Sequence, residues 1–135
     1  MLKFPKVLTL VIICIPTEWA SVSGWGKTSA SKTASLSSKL MAANILTRDH
    51  RECSKKFGDN NMIVTKNMLC AGGVRDHCKG DSGGPLTCSK DGQSYLCGIV
   101  SWGVDCNDGY YSGTYTDVSK YKQWIQRSLY KIKHY

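Results

Sequence analysis

The stretch Asp76-His77-Cys78-Lys79-Gly80-Asp81-Ser82-Gly83-Gly84-Pro85-Leu86 carries more chemistry than any other part of the chain. It places Ser82 in a tight turn lined by glycines, which adopt conformations barred to other residues and let a ligand approach closely. A serine hydroxyl becomes an effective nucleophile when a base takes its proton and N–H groups receive the developing oxyanion. The N–H groups of Gly80 and Ser82, on either side of Asp81, are well spaced to form that pair of donors. The stretch therefore predicts a nucleophilic serine.

Two other interpretations of this stretch must be weighed. Gly-x-Ser-x-Gly also occurs at the nucleophile elbow of α/β-hydrolases, where a helix follows the serine directly. Here Pro85-Leu86-Thr87-Cys88 follows, which favours an extended segment and argues against the elbow. The remaining alternative is a glycine-rich surface turn without function, and the further motifs described below argue against it.

The composition is that of one globular domain. The 135 residues are 41% hydrophobic and 21% charged, which is enough to form a core. Seven cysteines favour an oxidising, secreted setting, and their odd number leaves at least one without a partner in this chain. The net charge of +8 would suit acidic substrates, glycans or membrane surfaces, although a solvated basic surface is the plainer explanation. The sequence contains no nucleic-acid-binding motif, no bilayer-spanning segment and no metal-ligand cluster, so we expect no cofactor.

Residues 80–86, Gly-Asp-Ser-Gly-Gly-Pro-Leu, resemble the nucleophile loop of the chymotrypsin-like (trypsin-fold) serine proteases. Four further segments resemble that family in its order: Ser23-Gly24-Trp25-Gly26, Met68-Leu69-Cys70-Ala71-Gly72, Gly98-Ile99-Val100-Ser101-Trp102-Gly103 and Ser112-Gly113-Thr114-Tyr115-Thr116-Asp117-Val118. The resemblance implies an all-β fold, namely the C-terminal six-stranded antiparallel Greek-key barrel of these proteases. We expect this barrel to end in a short α-helix, and we expect the family's first barrel to be missing.

Local patterns predict several elements of this barrel. Asp49 and Glu52 form a capping-box pattern, which marks the start of a short helix. The dipeptide Asp91-Gly92 predicts a hairpin turn. Trp25 is expected to pack between two glycines that supply a bend. The expected strands are residues 40–46, 86–88 and 95–102, and the expected apolar face of the C-terminal helix comprises Tyr121, Trp124, Ile125, Ser128 and Leu129.

The resemblance also implies a substrate pocket. Asp76 matches the acid at the floor of the family's primary specificity pocket, where a carboxylate pairs with Arg or Lys and disfavours other side chains. Gly103 and Gly113 match the glycines that keep this slot open. Ser101, Trp102 and Gly103 match the strand along which an extended peptide binds. His77 departs from the small residue usual at its position and would narrow or partly charge the pocket.

The resemblance places part of the catalytic machinery outside this sequence. In the family, the residue matching Asp81 receives a new N-terminal ammonium after the zymogen is cut. The chain has no Ile-Val-Gly-Gly-like start, so we expect an unpaired Asp81 carboxylate and a zymogen-like or disordered loop. None of the three histidines, His50, His77 and His134, lies in an Ala-Ala-His-Cys-like context. The chain is therefore expected to lack the catalytic His and Asp, and to be inactive without the missing N-terminal barrel.

Residues 1–22 allow two interpretations. Two lysines, an apolar run at residues 7–15, a proline and small residues are typical of a secretory signal peptide. Alternatively, Met1-Leu2-Lys3-Phe4 resembles the end of the segment that carries the family's catalytic aspartate, and Cys14-Ile15-Pro16 resembles the Cys-Leu-Pro of its interdomain connector. Residues 1–22 would then be a truncated connector. The C-terminal half of the peptidase domain would span residues 23–130, followed by a basic tail at 131–135.

The cysteines are only partly explained by the resemblance. It implies two disulfides, Cys53–Cys70 and Cys78–Cys106. Cys88 matches a cysteine whose usual partner falls at Ala20, so that bridge is lost or rewired, for example to Cys14. Cys97 has no counterpart in the family.

Function follows from the same resemblance. It implies a serine endopeptidase that cleaves polypeptides after Arg or Lys and acts outside the cell or in a secretory granule, as granzymes do. Ser82 would be the nucleophile, and the N–H groups of Gly80 and Ser82 would form the oxyanion hole. The alternative is a non-catalytic protease homologue that serves as a secreted binding or regulatory module.

Overall fold

The computed structural model describes residues 18–104, 106, 109 and 113–133, with Lys133 described by its backbone alone. The interpretations of residues 1–17, including Cys14, and of His134 lie outside these residues. The described elements are β1 (Trp19–Gly24), β2 (Met41–Leu46), α1 (His50–Gly58), β3 (Met68–Ala71), β4 (Pro85–Lys90), β5 (Gln93–Trp102), β6 (Gly113–Asp117), a 3-10 turn (Val118–Tyr121) and α2 (Lys122–Lys133).

The six strands form one antiparallel sheet in the order β2-β1-β4-β5-β6-β3. Its two edge strands meet where β2 and β3 end. There the Gly72 N–H donates to the Leu46 carbonyl over 2.9 Å, and the Arg48 N–H donates to the Cys70 carbonyl over 2.8 Å. These bonds close the sheet into a barrel, and α2 follows the last strand. The predicted class, an all-β antiparallel barrel with a short C-terminal helix, is confirmed.

The barrel is filled by residues that alternate along its strands, because successive side chains of a strand point to opposite faces. Leu86 on β4 and Tyr115 on β6 are fully buried. The other members of the core are Ala20, Val22, Ile45, Leu69, Ala71, Cys88, Cys97 and Val100. The inward side of β6 therefore places the large Tyr115 side chain beneath the loops at one end of the barrel.

Helix α1 begins as its sequence predicts. The Asp49 side chain accepts hydrogen bonds from the N–H groups of Arg51 (2.9 Å) and Glu52 (3.1 Å), which satisfies two of the donors left free at a helix start. Phe57 of this helix is buried and meets the Trp102 ring edge to face, with 5.2 Å between the ring centroids. Helix α1 thereby supports the end of β5.

The hairpin of β4 and β5 turns at Asp91-Gly92, where both residues have positive φ values of 52° and 74°. This is the conformation that a two-residue Asp-Gly hairpin favours, so the predicted turn is confirmed. The expectation that Trp25 packs is wrong, because its side chain is 57% exposed. Tyr121, Trp124 and Leu129 are also exposed, so most of the expected apolar face of the C-terminal helix is open to solvent.

Three disulfides link the described cysteines: Cys53–Cys70, Cys78–Cys106 and Cys88–Cys97. The first two are the bridges that the resemblance implied. The third corrects the expectation for Cys88, since its partner is Cys97 on the neighbouring strand of the same hairpin. Ala20 lies directly opposite Cys88 in the β1–β4 register, but it carries no sulfur. Neither of the two described helices has the length and apolar character needed to cross a bilayer.

Candidate active site

The loop from Cys78 to Gly84 consists of two successive turns. The Asp81 N–H donates to the Cys78 carbonyl (3.0 Å), and the Gly84 N–H donates to the Asp81 carbonyl (2.9 Å). A reciprocal pair of 2.9 Å bonds then joins the end of the loop to β5: Gly83 N–H to the Val100 carbonyl, and Val100 N–H to the Gly84 carbonyl. Ser82 is exposed at the apex of this loop. The strand therefore holds the serine while leaving its hydroxyl open to solvent.

The peptide group between Lys79 and Gly80 is fixed from one side. Its carbonyl accepts a 2.9 Å hydrogen bond from the Lys27 N–H. Because a trans peptide is planar, its N–H points in the opposite direction to its carbonyl. The Gly80 N–H is thus aimed away from Lys27. Gly80 has a φ of +100°, and a β-carbon there would lie 2.6 Å from Leu36 Cδ2, so only glycine fits.

The Asp81 carboxylate turns into the protein next to the nucleophile. Its Oδ1 accepts a 2.7 Å bond from the Gly26 N–H, and its Oδ2 accepts a 2.9 Å bond from the Cys78 N–H. Two neutral backbone donors thus hold the carboxylate that was expected to lack its ammonium partner. Gly24 and Gly26 both contact it so closely that a β-carbon at either position would overlap its side chain. These glycines make room for Asp81, a role that the sequence did not suggest.

Asp76 lies half-buried at the end of the barrel. Its Oδ1 accepts hydrogen bonds from its neighbour's backbone, His77 N–H (2.7 Å), and from the Tyr115 hydroxyl (2.9 Å). Burial raises the pKa of the Asp76 carboxyl above its ordinary value, although His77 and these hydrogen bonds act in the opposite direction. Burial, and then the Asp76 charge, raise the pKa of Tyr115, so this hydroxyl remains a donor.

A cleft of about 190 Å³ opens beside Ser82. It brings together most of the residues that sequence reasoning selected, and it also includes His77. The lining residues are Asp76, His77, Cys78, Lys79, Ser82, Ser101, Trp102, Gly103, Val104 and Cys106. Gly113 lies against two residues of this cleft, because a β-carbon on Gly113 would lie 2.5 Å from both Asp76 Oδ1 and His77 Nε2.

The His77 side chain occupies the slot between the two glycines. It is only 9% exposed, and it meets the Tyr115 ring edge to face at 5.1 Å between ring centroids. A β-carbon on Gly103 would lie 3.6 Å from His77 Cε1, so the imidazole lies close to both Gly103 and Gly113. Within the described residues, the buried His77 Nε2 has no hydrogen-bond partner. The slot is therefore narrowed by His77, and Asp76 is not its only polar group.

The other described histidine lies elsewhere. His50 on α1 contacts the Thr65 carbonyl through Nε2 (2.9 Å) and the Ser54 hydroxyl through Nδ1 (3.3 Å). Neither it nor His77 makes a hydrogen bond to the Ser82 hydroxyl in the part of the chain that the structure covers. No described histidine therefore acts as the base for Ser82 in this arrangement.

Besides Gly24 and Gly26, sequence reasoning missed two further residues that shape the site. Tyr115 was noted only as part of a motif, although the alternation along β6 could have placed it on the inner face, beneath Asp76. Lys27 acts through its backbone N–H, which positions the Lys79–Gly80 peptide group. No property of the Lys27 side chain could have shown this role, because any residue except proline supplies the same donor.

Comparison with known proteins gives a consistent result. The family model described as Trypsin matches residues 11–125. The chain is 40% identical to CLIP domain-containing serine protease B4 of Anopheles gambiae over 136 residues, which cover 90% of this chain and 37% of that protein. It is 42% identical to human Serine protease 41 over 120 residues (84% and 37%). It is 36% identical to the urokinase-type plasminogen activator of Gallus gallus over 128 residues (87% and 29%). The chain thus spans about a third of the length of these relatives.

Proposed function

The chain belongs to the trypsin family, and from this premise we propose that the protein is a serine endopeptidase that cleaves polypeptides after arginine or lysine. The observation that carries the proposal is the arrangement of the serine loop. Ser82 stands exposed at its apex, the neighbouring Lys79–Gly80 peptide is oriented by Lys27, and the Asp81 side chain anchors the loop from within.

The proposed reaction is acyl transfer through Ser82. Its Oγ forms a bond to the carbonyl carbon of the substrate while its proton passes to a base. The N–H groups of Gly80 and Ser82 receive the negative charge on the carbonyl oxygen. The C–N bond then breaks as the base returns the proton to the leaving amine, and water hydrolyses the acyl-enzyme in a second, equivalent step. We assign the base and its orienting aspartate to the family's His and Asp, which the described part of the chain does not provide at Ser82.

The proposed preference for arginine and lysine rests on Asp76. A carboxylate that is already partly removed from water attracts a cationic side chain and penalises an apolar one, which would leave its charge without a partner. Two polar donors hold Asp76 Oδ1 in place, so the carboxylate is positioned before a substrate arrives. Ser101, Trp102 and Gly103 border the same cleft, and we infer that their backbone pairs with an extended substrate.

We further propose that the protein acts outside the cell. The three disulfides support this, since such bonds persist in oxidising compartments. The family's first barrel is the proposed partner of this domain, because it would supply the base and the other wall of the cleft. Exposed apolar side chains such as Trp19 and Trp124 support a covering partner of this kind.

A fluorophosphonate probe, which reacts with activated serines, tests the proposed nucleophile. We expect the full-length protein to be labelled, and Ser82→Ala to abolish the labelling. Absence of labelling in the activated full-length protein would contradict the proposed reaction and would favour a binding module instead. Peptide substrates test the specificity: Asp76→Ser should abolish cleavage after arginine, and an unchanged arginine preference would refute the role of Asp76.

A further inference from the structure

Helix α2 carries positive charges only. Its 12 residues contain no aspartate or glutamate, and its basic residues are Lys122, Arg127, Lys131 and Lys133. Arg127 and Lys131 are exposed, and they take no part in the ion pair that the described residues form, which joins Lys120 to Asp117. The cleft beside the serine loop uses neither of them. The positive charge of α2 is therefore available to an anionic partner.

An apolar stripe runs along the same helix. At about 3.6 residues per turn, one side of α2 collects Trp124, Ile125, Leu129 and Ile132. Ile125 is half-buried, whereas Leu129 is 37% exposed and Ile132 is 73% exposed. The exposure of these isoleucine and leucine side chains therefore increases towards the end of the helix. Trp124, which the proposed first barrel would cover, lies two turns before Ile132, so the end of the stripe can stay open when that barrel is present.

Basic residues border this stripe on both sides. Arg127 and Lys131 are four residues apart and therefore share one edge, while Lys122 lies at the other edge. Long basic side chains place their methylene groups along an apolar surface and keep their charges in the polar layer beside it. A helix whose apolar face lies between cations is typical of helices that lie flat in the headgroup layer of a membrane. With 12 residues, α2 is too short to cross a bilayer and would lie along its surface.

We propose that the end of α2 is a docking surface for membranes that contain anionic lipids. The acyl chains would receive Leu129 and Ile132, and the acidic headgroups would pair with Arg127 and Lys131. Charge and apolar surface together select this partner. A soluble polyanion would bind the cations but leave the isoleucine in water, and an apolar protein surface would leave the cations unpaired. This role is separate from the proposed peptidase reaction, and it would hold the protein beside substrates at a membrane.

Sedimentation of the full-length protein with lipid vesicles tests the proposal. We expect tight binding to vesicles made of equal parts phosphatidylcholine and phosphatidylserine, and weak binding to phosphatidylcholine alone. Ile132→Ser should weaken binding to the mixed vesicles about tenfold, because it removes an apolar side chain from the acyl layer. Lys131→Gln should weaken it about fivefold, the contribution of one cation near an anionic surface. The matched controls are Ile63→Ser, at a 79% exposed isoleucine outside α2, and Lys90→Gln, at the exposed turn between β4 and β5.

Each contrary result has a distinct meaning. No binding to the mixed vesicles, or equal binding to both kinds of vesicle, would overturn the proposal. An equal loss in Lys90→Gln and Lys131→Gln would show adsorption through the overall positive charge of the protein, which also overturns it. Unchanged binding by Ile132→Ser would show that the stripe is covered or that only the cations act, and would likewise refute the docking surface. Because Ile132 is largely exposed, its replacement is not expected to disturb folding. Fluorophosphonate labelling of Ser82 reports on the proposed peptidase separately, so either proposal can fail while the other stands.

Discussion

The N–H of Gly26 donates a 2.7 Å hydrogen bond to Oδ1 of Asp81, which lies 55 positions further along the chain. Asp81 immediately precedes the candidate nucleophile, so this bond connects the segment after β1 to the serine loop. The Lys27 N–H, next in sequence, holds the Lys79 carbonyl at the other side of the same loop. The two adjacent donors therefore fix both the acid and the peptide group that carries the Gly80 N–H.

Gly26→Ala tests this connection. A β-carbon at residue 26 would lie 2.5 Å from both carboxylate oxygens of Asp81, so the side chain must move and the loop with it. We expect the rate of fluorophosphonate labelling of Ser82 to fall about 100-fold or more, which is the usual cost of losing an oxyanion donor. Gly58→Ala is the matched control, since no atom lies within 4 Å of a β-carbon there. Equal labelling of both variants would show that the Gly26–Asp81 contact does not govern the loop.

Much of the serine loop could be predicted from the sequence. The run from Gly80 to Leu86 indicated the serine, its turn and the strand after it, because glycine permits the backbone conformations of such a turn and proline disfavours a helix. The cap at Asp49 was predicted because its side chain can accept from the free N–H groups of a helix start, and the turn at Asp91-Gly92 because such a turn needs positive φ. Local backbone chemistry was therefore a reliable guide.

Contacts between segments that are distant along the chain could not be predicted from the sequence. The close approach of Asp81 to Gly24 and Gly26 depends on the packing of the loop against the end of β1. Cys97 could be matched with Cys88 only once the hairpin register placed them on neighbouring strands. The sequence indicated that His77 was unusual, but only the structure places its ring between Gly103 and Gly113.

The Cys88–Cys97 disulfide allows a test of stability. Replacing both cysteines by alanine should lower the free energy of unfolding by about 2–3 kcal/mol, because the bridge closes a short loop in the unfolded chain. Denaturant unfolding of the full-length protein measures this change. A peptide map under non-reducing conditions checks the pairing itself, and a fragment linking Cys88 to Cys14 would contradict it.

Tyr115→Phe should weaken recognition through Asp76. The hydroxyl donates to Asp76 Oδ1 over 2.9 Å and so favours the ionised carboxylate. Without it, we expect the pKa of Asp76, already raised by burial, to rise further. Binding of benzamidine, a planar amidinium on an aromatic ring, should therefore weaken more in mildly acidic than in neutral solution, relative to the unchanged protein. The ratio of the two affinities at each pH isolates the effect of the missing hydroxyl. A ratio that is constant with pH would contradict this coupling.

Asp76→Asn should change how stability depends on pH. Burial raises the pKa of Asp76 in the folded state above the ordinary value of 3.8, so the folded protein keeps this proton to higher pH than the unfolded chain does. The stability that the protonated carboxyl contributes is present below 3.8 and is lost as the pH rises towards the raised folded value. Asparagine does not ionise, so the Asp76→Asn protein loses no stability from this position over that range. We therefore expect the melting temperature of Asp76→Asn, relative to that of the unchanged protein, to increase from acid to neutral pH. Thermal unfolding of both proteins across this range measures the gain, and parallel curves would show that burying the Asp76 charge carries no cost.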